Sequence, residues 1–330
     1  MLASSASMVK AKAPGDSAAI VFLLVICLVL ALIASADLWW PMVRLSQNES
    51  AAMQSMLLDV RLPRIFGAWA AGACLGLGGA IAQSLFRNPL ADPYLIGSAS
   101  GAGLGVTVSL VLLGAVRMEF AFAGALLAVA LTVALARGRD ALLLAGFVIS
   151  IVLSALVALL LVQHPEHLRV SQLFMLGQTH LLDWQASKMM LPALTLSLLL
   201  STRLAKPMEA MALGDNTARS LGLPVEAIRW TLVALIALLS AASVTYCGML
   251  AFVGLGAAHM VRGVFKKVLV NNLKLLLTLS AIVGGMLLVL SDFLARILFW
   301  PSEMPVGVIT ALLGGVYLLS LLGVGRSGLR

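Results

Sequence analysis

The chain has 330 residues, of which 61% are hydrophobic and only 11% charged, and it carries a net charge of +8. A soluble domain has roughly a quarter charged residues, so this composition leaves too little polar surface for water and excludes a soluble fold. The basic residues form no stripe with interleaved aromatics, which excludes nucleic acid and leaves membrane lipid as the surface that such an excess faces.

Intervals free of Asp, Glu, Lys and Arg mark the membrane spans, because a charge at the bilayer centre costs about 2.5–3.5 kcal/mol. The first is residues 18–36, preceded by Lys10 and Lys12 and ending in Ala34-Ser35-Ala36, a string that resembles a signal-peptidase site. The run exceeds the usual h-region of about 7–15 residues, so it reads as an uncleaved span. The next intervals are residues 65–86, 93–116, 120–136 and 141–165. Residues 170–182 are apolar but only 13 long, which predicts a short re-entrant or interfacial helix. A short span at 189–202 follows, then the largest cytoplasmic segment, 203–229. The last apolar intervals are 230–261, 275–291 and 304–325.

Residues 230–261 decide the count. At 32 residues the interval is long for one span of about 20 and short for two full spans with a turn. Gly248, Gly254 and Gly256 mark where it can break. With two crossings here, the second broken and short, there are ten spans and both termini are cytoplasmic. Of the 22 basic residues only seven then lie outside: Arg44, Arg61, Arg64, Arg117, Arg169, Lys188 and Arg296. With one crossing, six of the fifteen inner ones would move out, against the positive-inside rule. The expectation is an all-α polytopic membrane protein with ten transmembrane helices, one transmembrane domain over residues 1–330. Five plus five spans suggest the inverted repeat that transporters use.

Cys27, Cys74 and Cys247 each lie inside an apolar run and read as buried small hydrophobes. His164 and His167 form a lone H-x-x-H pair in a polar loop, a weak metal or haem signal. No metal site and no cofactor is predicted. Gly72, Gly76, Gly78 and Gly79 cluster in the second span, and Gly97, Gly101 and Gly105 recur every fourth residue in the third. Such spacing makes a groove on one helix face. It serves tight helix packing or, with Ser98, Ser100 and Thr107 beside it, a path through the bundle.

The turn between those spans reads Arg87-Asn88-Pro89-Leu90-Ala91-Asp92-Pro93, and its prolines forbid a continuous helix. It resembles the signature of permeases in the ABC importer family for iron–siderophore complexes, haem and cobalamin. There an Arg-x-Pro-Arg opens the second span, and a glutamine precedes an Asn-Pro-Leu-Ala-x-Pro turn. Here these are Arg61-Leu62-Pro63-Arg64, Gln83, and Asn88 to Ala91 with Pro93. Ala212-Leu213-Gly214 with Ala218, Leu221 and Gly222 resemble the family's coupling segment. Phe252-Val253-Gly254-Leu255 with His259 and Arg262 resemble its eighth-span signature. Asp292, Ala295 and Arg296, then Glu303-Met304-Pro305-Val306-Gly307 with Thr310 and Gly314, match spans nine and ten. Two departures stand out: Ala258 replaces a proline, and residues 266–274 replace an Asp-His-Arg turn.

The resemblance implies a permease subunit of an ATP-driven importer, paired as a homodimer or heterodimer with a second permease. Its partners would be two ATP-binding subunits and a periplasmic or lipid-anchored substrate-binding protein. Residues 205–229 would couple to the ATPase through Leu213, Gly214, Ala218, Leu221 and Gly222. Arg61, Arg64 and Arg296 would dock the binding protein, with Arg61 and Arg64 facing water, while Gly97, Ser98, Ser100, Gly101 and Thr107 are candidates for the path. An iron–siderophore complex is the default substrate, with haem, cobalamin and oxyanions behind. The residues themselves agree with an external energy source: no glycine-rich loop ends in Gly-Lys-Ser/Thr, so a separate subunit must hydrolyse ATP. Spans two to seven and ten carry no central charge, which argues against an ion-driven transporter. No Ser/His/Asp group or carboxylate pair at membrane depth supports an enzyme.

Overall fold

The computed structural model describes residues 56–136, 138–265, 272–298 and 303–327. The first predicted span, with Lys10, Lys12 and Cys27, lies outside them. The described residues form twelve α-helices and no strand. In chain order these are α1 (Leu62–Phe86), α2 (Ser98–Leu113), α3 (Met118–Leu135), α4 (Arg139–Gln163), α5 (Leu168–Met175) and α6 (Trp184–Arg203). There follow α7 (Ala205–Ala212), α8 (Asp215–Ser220), α9 (Val225–Cys247), α10 (Val253–Val264), α11 (Leu273–Ile297) and α12 (Val306–Ser327).

Every charge-free interval in this part of the chain holds at least one helical segment. Among the described residues, five helical stretches are long and apolar enough to cross a membrane: Leu58–Phe86, Met118–Leu135, Ala141–Gln163, Val225–Cys247 and Leu273–Ile297. The interval 230–261 divides into α9 and α10, and of its three glycines only Gly248 marks the break. There φ is +65°, and a Cβ would lie 1.9 Å from the carbonyl oxygen of Phe174, so no other residue fits without a shift. Gly254 and Gly256 sit inside α10 instead. With 12 residues α10 is about 18 Å long, well short of the roughly 30 Å hydrocarbon layer. The predicted helix at 170–182 is helical only as far as Met175; beyond it the chain turns and carries Thr179 inward.

The axis of the bundle is α1, with α6, α9, α10 and α11 packed around it. From Gly67 to Gln83 every residue but Trp69 is buried. Small side chains make this possible: a Cβ on Gly72 would fall 2.3 Å from the Gly284 oxygen, and one on Gly76 only 2.1 Å from that of Ser280. In lipid, where burying apolar surface between helices gains little, such close backbone contact supplies the dispersion energy that joins them. The opposite case is α4, whose Leu144, Phe147, Val152, Leu159 and Val162 are exposed. An apolar face of that size is stable against acyl chains rather than water.

Candidate functional site

Charged side chains gather at the two ends of α1. At its start, Arg64 is held by two carboxylates. Its Nε and Nη2 donate to Asp292 Oδ1 at 3.1 and 2.9 Å, and Nη1 and Nη2 donate to Glu303 at 3.2 and 2.9 Å. Thr179 also donates to Asp292 Oδ1, and Arg296 pairs with Asp292 Oδ2 at 2.9 Å. The Arg64 side chain is 14% exposed and that of Asp292 only 2%. Burial works to raise the Glu303 carboxyl, but the hydrogen bonds and charge of Arg64, with the charges of Arg296 and His180, hold it below the usual carboxylate range. The expectation that Arg64 faces water is therefore corrected: two internal carboxylates outcompete solvent for a planar fork that matches them. Arg296 makes the local pair that its spacing from Asp292 allows. Arg61 is partly exposed at the same end.

At the other end, Arg87 terminates α1 in the left-handed region, with φ +51°. A side chain with a Cβ costs about 1–2 kcal/mol there, and glycine is the usual occupant. The guanidinium offsets that strain: Nη2 donates to the carbonyl of Met211 in α7 and pairs with Asp215 Oδ1 at the start of α8. The second oxygen of Asp215 pairs with Arg229, which is 4% exposed. Nη1 of Arg229 in turn reaches both oxygens of Glu226, at 2.7 and 2.8 Å.

This network carries the predicted coupling residues. Ala218 is the buried residue of α8, whereas Leu213 and Leu221 on either side of the helix are 77% and 65% exposed. Gly214 and Gly222, with φ of +134° and +78°, make the breaks that bound α8. The adjoining turn is built as its sequence dictates. Asn88 Oδ1 accepts from the Leu90 amide at 2.9 Å, and Asp92 Oδ1 from that of Tyr94 at 2.9 Å, ahead of Pro93. Burial pushes the Asp92 carboxyl up to about 6, against the lowering effect of the Tyr94 amide. One turn back, Gln83 donates to the Leu255 carbonyl at 3.2 Å and accepts from Arg262, which ties α1 to α10.

The path candidates lie inside the chain. Ser98, Ser100 and Thr107 are buried, Ser100 donating to Gly97 and Thr107 contacting Ser171 of α5 at 3.0 Å. A Cβ on Gly101 would meet the Gly124 oxygen of α3 at 2.3 Å, and Gly97 caps the turn before α2 with φ +88°. In this structure these residues pack against α3 and α5. His164 and His167 flank the carboxylate of Glu166 at 3.4 and 4.0 Å, and no group of three ligands forms among the described residues. Sequence reasoning missed Thr179, Asp215 and Arg229 as site residues. It quoted Asp292, Glu303, Gln83 and Arg262 only as letters in separate strings, and nothing in the sequence pairs positions 228 residues apart.

The chain matches the FecCD transport family over residues 20–323. It is 35% identical to the hemin transport permease HmuU of Yersinia pestis, over 91% of this chain and 94% of that one. It is 34% identical to the cobalamin import permease BtuC of Halobacterium salinarum, over 82% of this chain and 73% of that one. A structure solved for a metal-chelate type ABC transporter in an inward-facing conformation superposes with a TM-score of 0.80 at 28% identity, covering 91% of this chain and 98% of the other.

Proposed function

The chain belongs to the FecCD transport family, the permeases of ABC importers, and on that premise we propose that it carries an iron chelate, a siderophore complex or haem, across the bacterial inner membrane. The observation that carries this reading is the α7–α8 tip, where two bare leucines sit on a charged clamp at one end of the bundle. An exposed apolar pair of this kind, rimmed by charge, suits docking of a partner protein. The partner here is a pair of ATP-binding subunits on the cytoplasmic face, with residues 205–229 as the coupling segment. A topology of ten spans with both termini cytoplasmic would have the Arg64 end outside. There a periplasmic or lipid-anchored binding protein docks through Arg61 and the exposed edges of Arg64 and Arg296. Because the interior around α1 and α2 is filled, the path runs between this chain and a second permease, identical or related. Cobalamin or an oxyanion is the alternative cargo.

Reconstitution tests the reading. The purified chain alone hydrolyses no ATP; with its ATP-binding subunits and binding protein, proteoliposomes take up a ferric siderophore or hemin. Hydrolysis by the isolated chain would overturn the permease role, and uptake confined to cobalamin would overturn the iron-chelate assignment.

A further inference from the structure

We propose that Asp215 is the positioning residue of the coupling step, clamping the exposed α7–α8 tip to the end of α1 so that motion of the tip moves α1 and α10. The proposal rests on the permease reading above. Glycines at φ +134° and +78° bound α8, and Met211 and Ala218 are buried in the core. Beside these contacts, the tip is tied to the bundle by a carboxylate shared between two arginines from different helices. One oxygen of Asp215 takes Arg87 at the end of α1, and the other takes Arg229 in the first turns of α9. A carboxylate accepts with both oxygens, whereas an amide accepts with one, so asparagine of the same shape cannot bridge the two. Arg87 also holds the Met211 carbonyl, so the end of α7 and the start of α8 are gripped by the same guanidinium. From Arg87 the contact continues one turn along α1 to Gln83, which holds the Leu255 carbonyl and the Arg262 side chain of α10. The tip, the end of α1 and the short helix α10 are thus joined by consecutive charge-assisted or buried hydrogen bonds. A chain of this kind transmits displacement where a glycine-hinged loop would absorb it.

The test uses the full complex of the chain with its ATP-binding subunits. Hydrogen exchange in the tip and in residues 255–262 is compared between nucleotide-free and ATP–vanadate-trapped complexes. In the wild type, trapping changes exchange in both regions. Asp215→Asn and Arg87→Gln each preserve the change in the tip and lower that in residues 255–262 about tenfold, the factor expected from losing a charge-assisted bond. The double variant loses no more than either single one, and Asp215→Glu restores transmission. Full transmission in both Asp215→Asn and Arg87→Gln overturns the clamp while leaving the permease reading intact. So does a wild type whose α10 never responds, and so does a loss explained by reduced copurification of the ATP-binding subunits. Failure of any ATP-binding subunit to copurify with the wild type overturns the permease reading itself, and the clamp with it.

Discussion

At the start of α1, Arg64 turns inward onto Asp292 and Glu303, which lie 228 and 239 residues further along the chain. At its end, Arg87 bonds to Met211 and Asp215, and Leu213 and Leu221 are among the side chains left facing outward. The first end is a cluster of two arginines and two carboxylates, buried at Asp292 and partly exposed at Arg64, Arg296 and Glu303. The second is a charged clamp that presents an apolar tip. The same residue type therefore does two jobs: at one end it ties α11 to α1, and at the other it ties the exposed α7–α8 tip to the end of α1. The bundle between them is set by close backbone contact, not by charge.

The largest effect that separates the two ends should come from Asp292→Ala. It removes the buried carboxylate that Arg64 and Arg296 share, leaving Arg64 on Glu303, and losing one partner of a buried pair costs about 3–5 kcal/mol. Thermal unfolding in detergent should show a large fall in Tm; an unchanged Tm would mean that the cluster does not close this end. At the other end, Leu213→Asp with Leu221→Asp should leave Tm within a few degrees, since both side chains are already exposed. Copurification of the ATP-binding subunits should drop by at least about tenfold, because apolar anchors dominate docking energies. Retained copurification would place the dock elsewhere.

A smaller effect is expected from Gly222→Val. The residue sits at φ +78° with open space around it, so the cost is backbone strain alone, about 1–2 kcal/mol. The protein should still insert, while ligand-stimulated ATP hydrolysis falls as α8 loses its orientation. Normal stimulation would make the segment an ordinary loop.

The finest distinction is in pH. Glu303 is held below its ordinary range, so its contribution is fully present above the unfolded value of about 4.3 and is lost as pH falls through the lower folded value. Asp92 is raised to about 6, so the folded state favours its protonated form. Its contribution is present below the unfolded value of about 3.9 and is lost as pH rises through about 6. Acidification from pH 7 to 5 should therefore relieve the burial cost of the Asp92 carboxylate while Glu303 stays ionised. Asp92→Asn should abolish the gain in Tm over that range, and Glu303→Gln should blunt only the loss below about pH 4.3. A gain that survives in Asp92→Asn would assign it to another group.

The helices were legible in the sequence because the penalty for a charge in lipid belongs to each residue singly. Intervals without charge therefore mark α1 to α4, α6, α9, α11 and α12 with no knowledge of their neighbours. The turn from Asn88 to Pro93 and the breaks at Gly214 and Gly222 were equally local, fixed by proline rings, side-chain caps and backbone angles that glycine tolerates. Which glycine would break the interval 230–261 was not legible. Gly248 and Gly254 look alike in sequence, and the Phe174 carbonyl that leaves no room for a Cβ at the first comes from a distant segment. Ser98, Ser100 and Thr107 read as path candidates because polarity inside a span is visible, whereas the neighbours that satisfy or cover them are not. The inward turn of Arg64, likewise, was decided by tertiary structure alone. An ion pair forms between side chains that folding brings within about 3 Å, and a linear sequence carries no term for that distance.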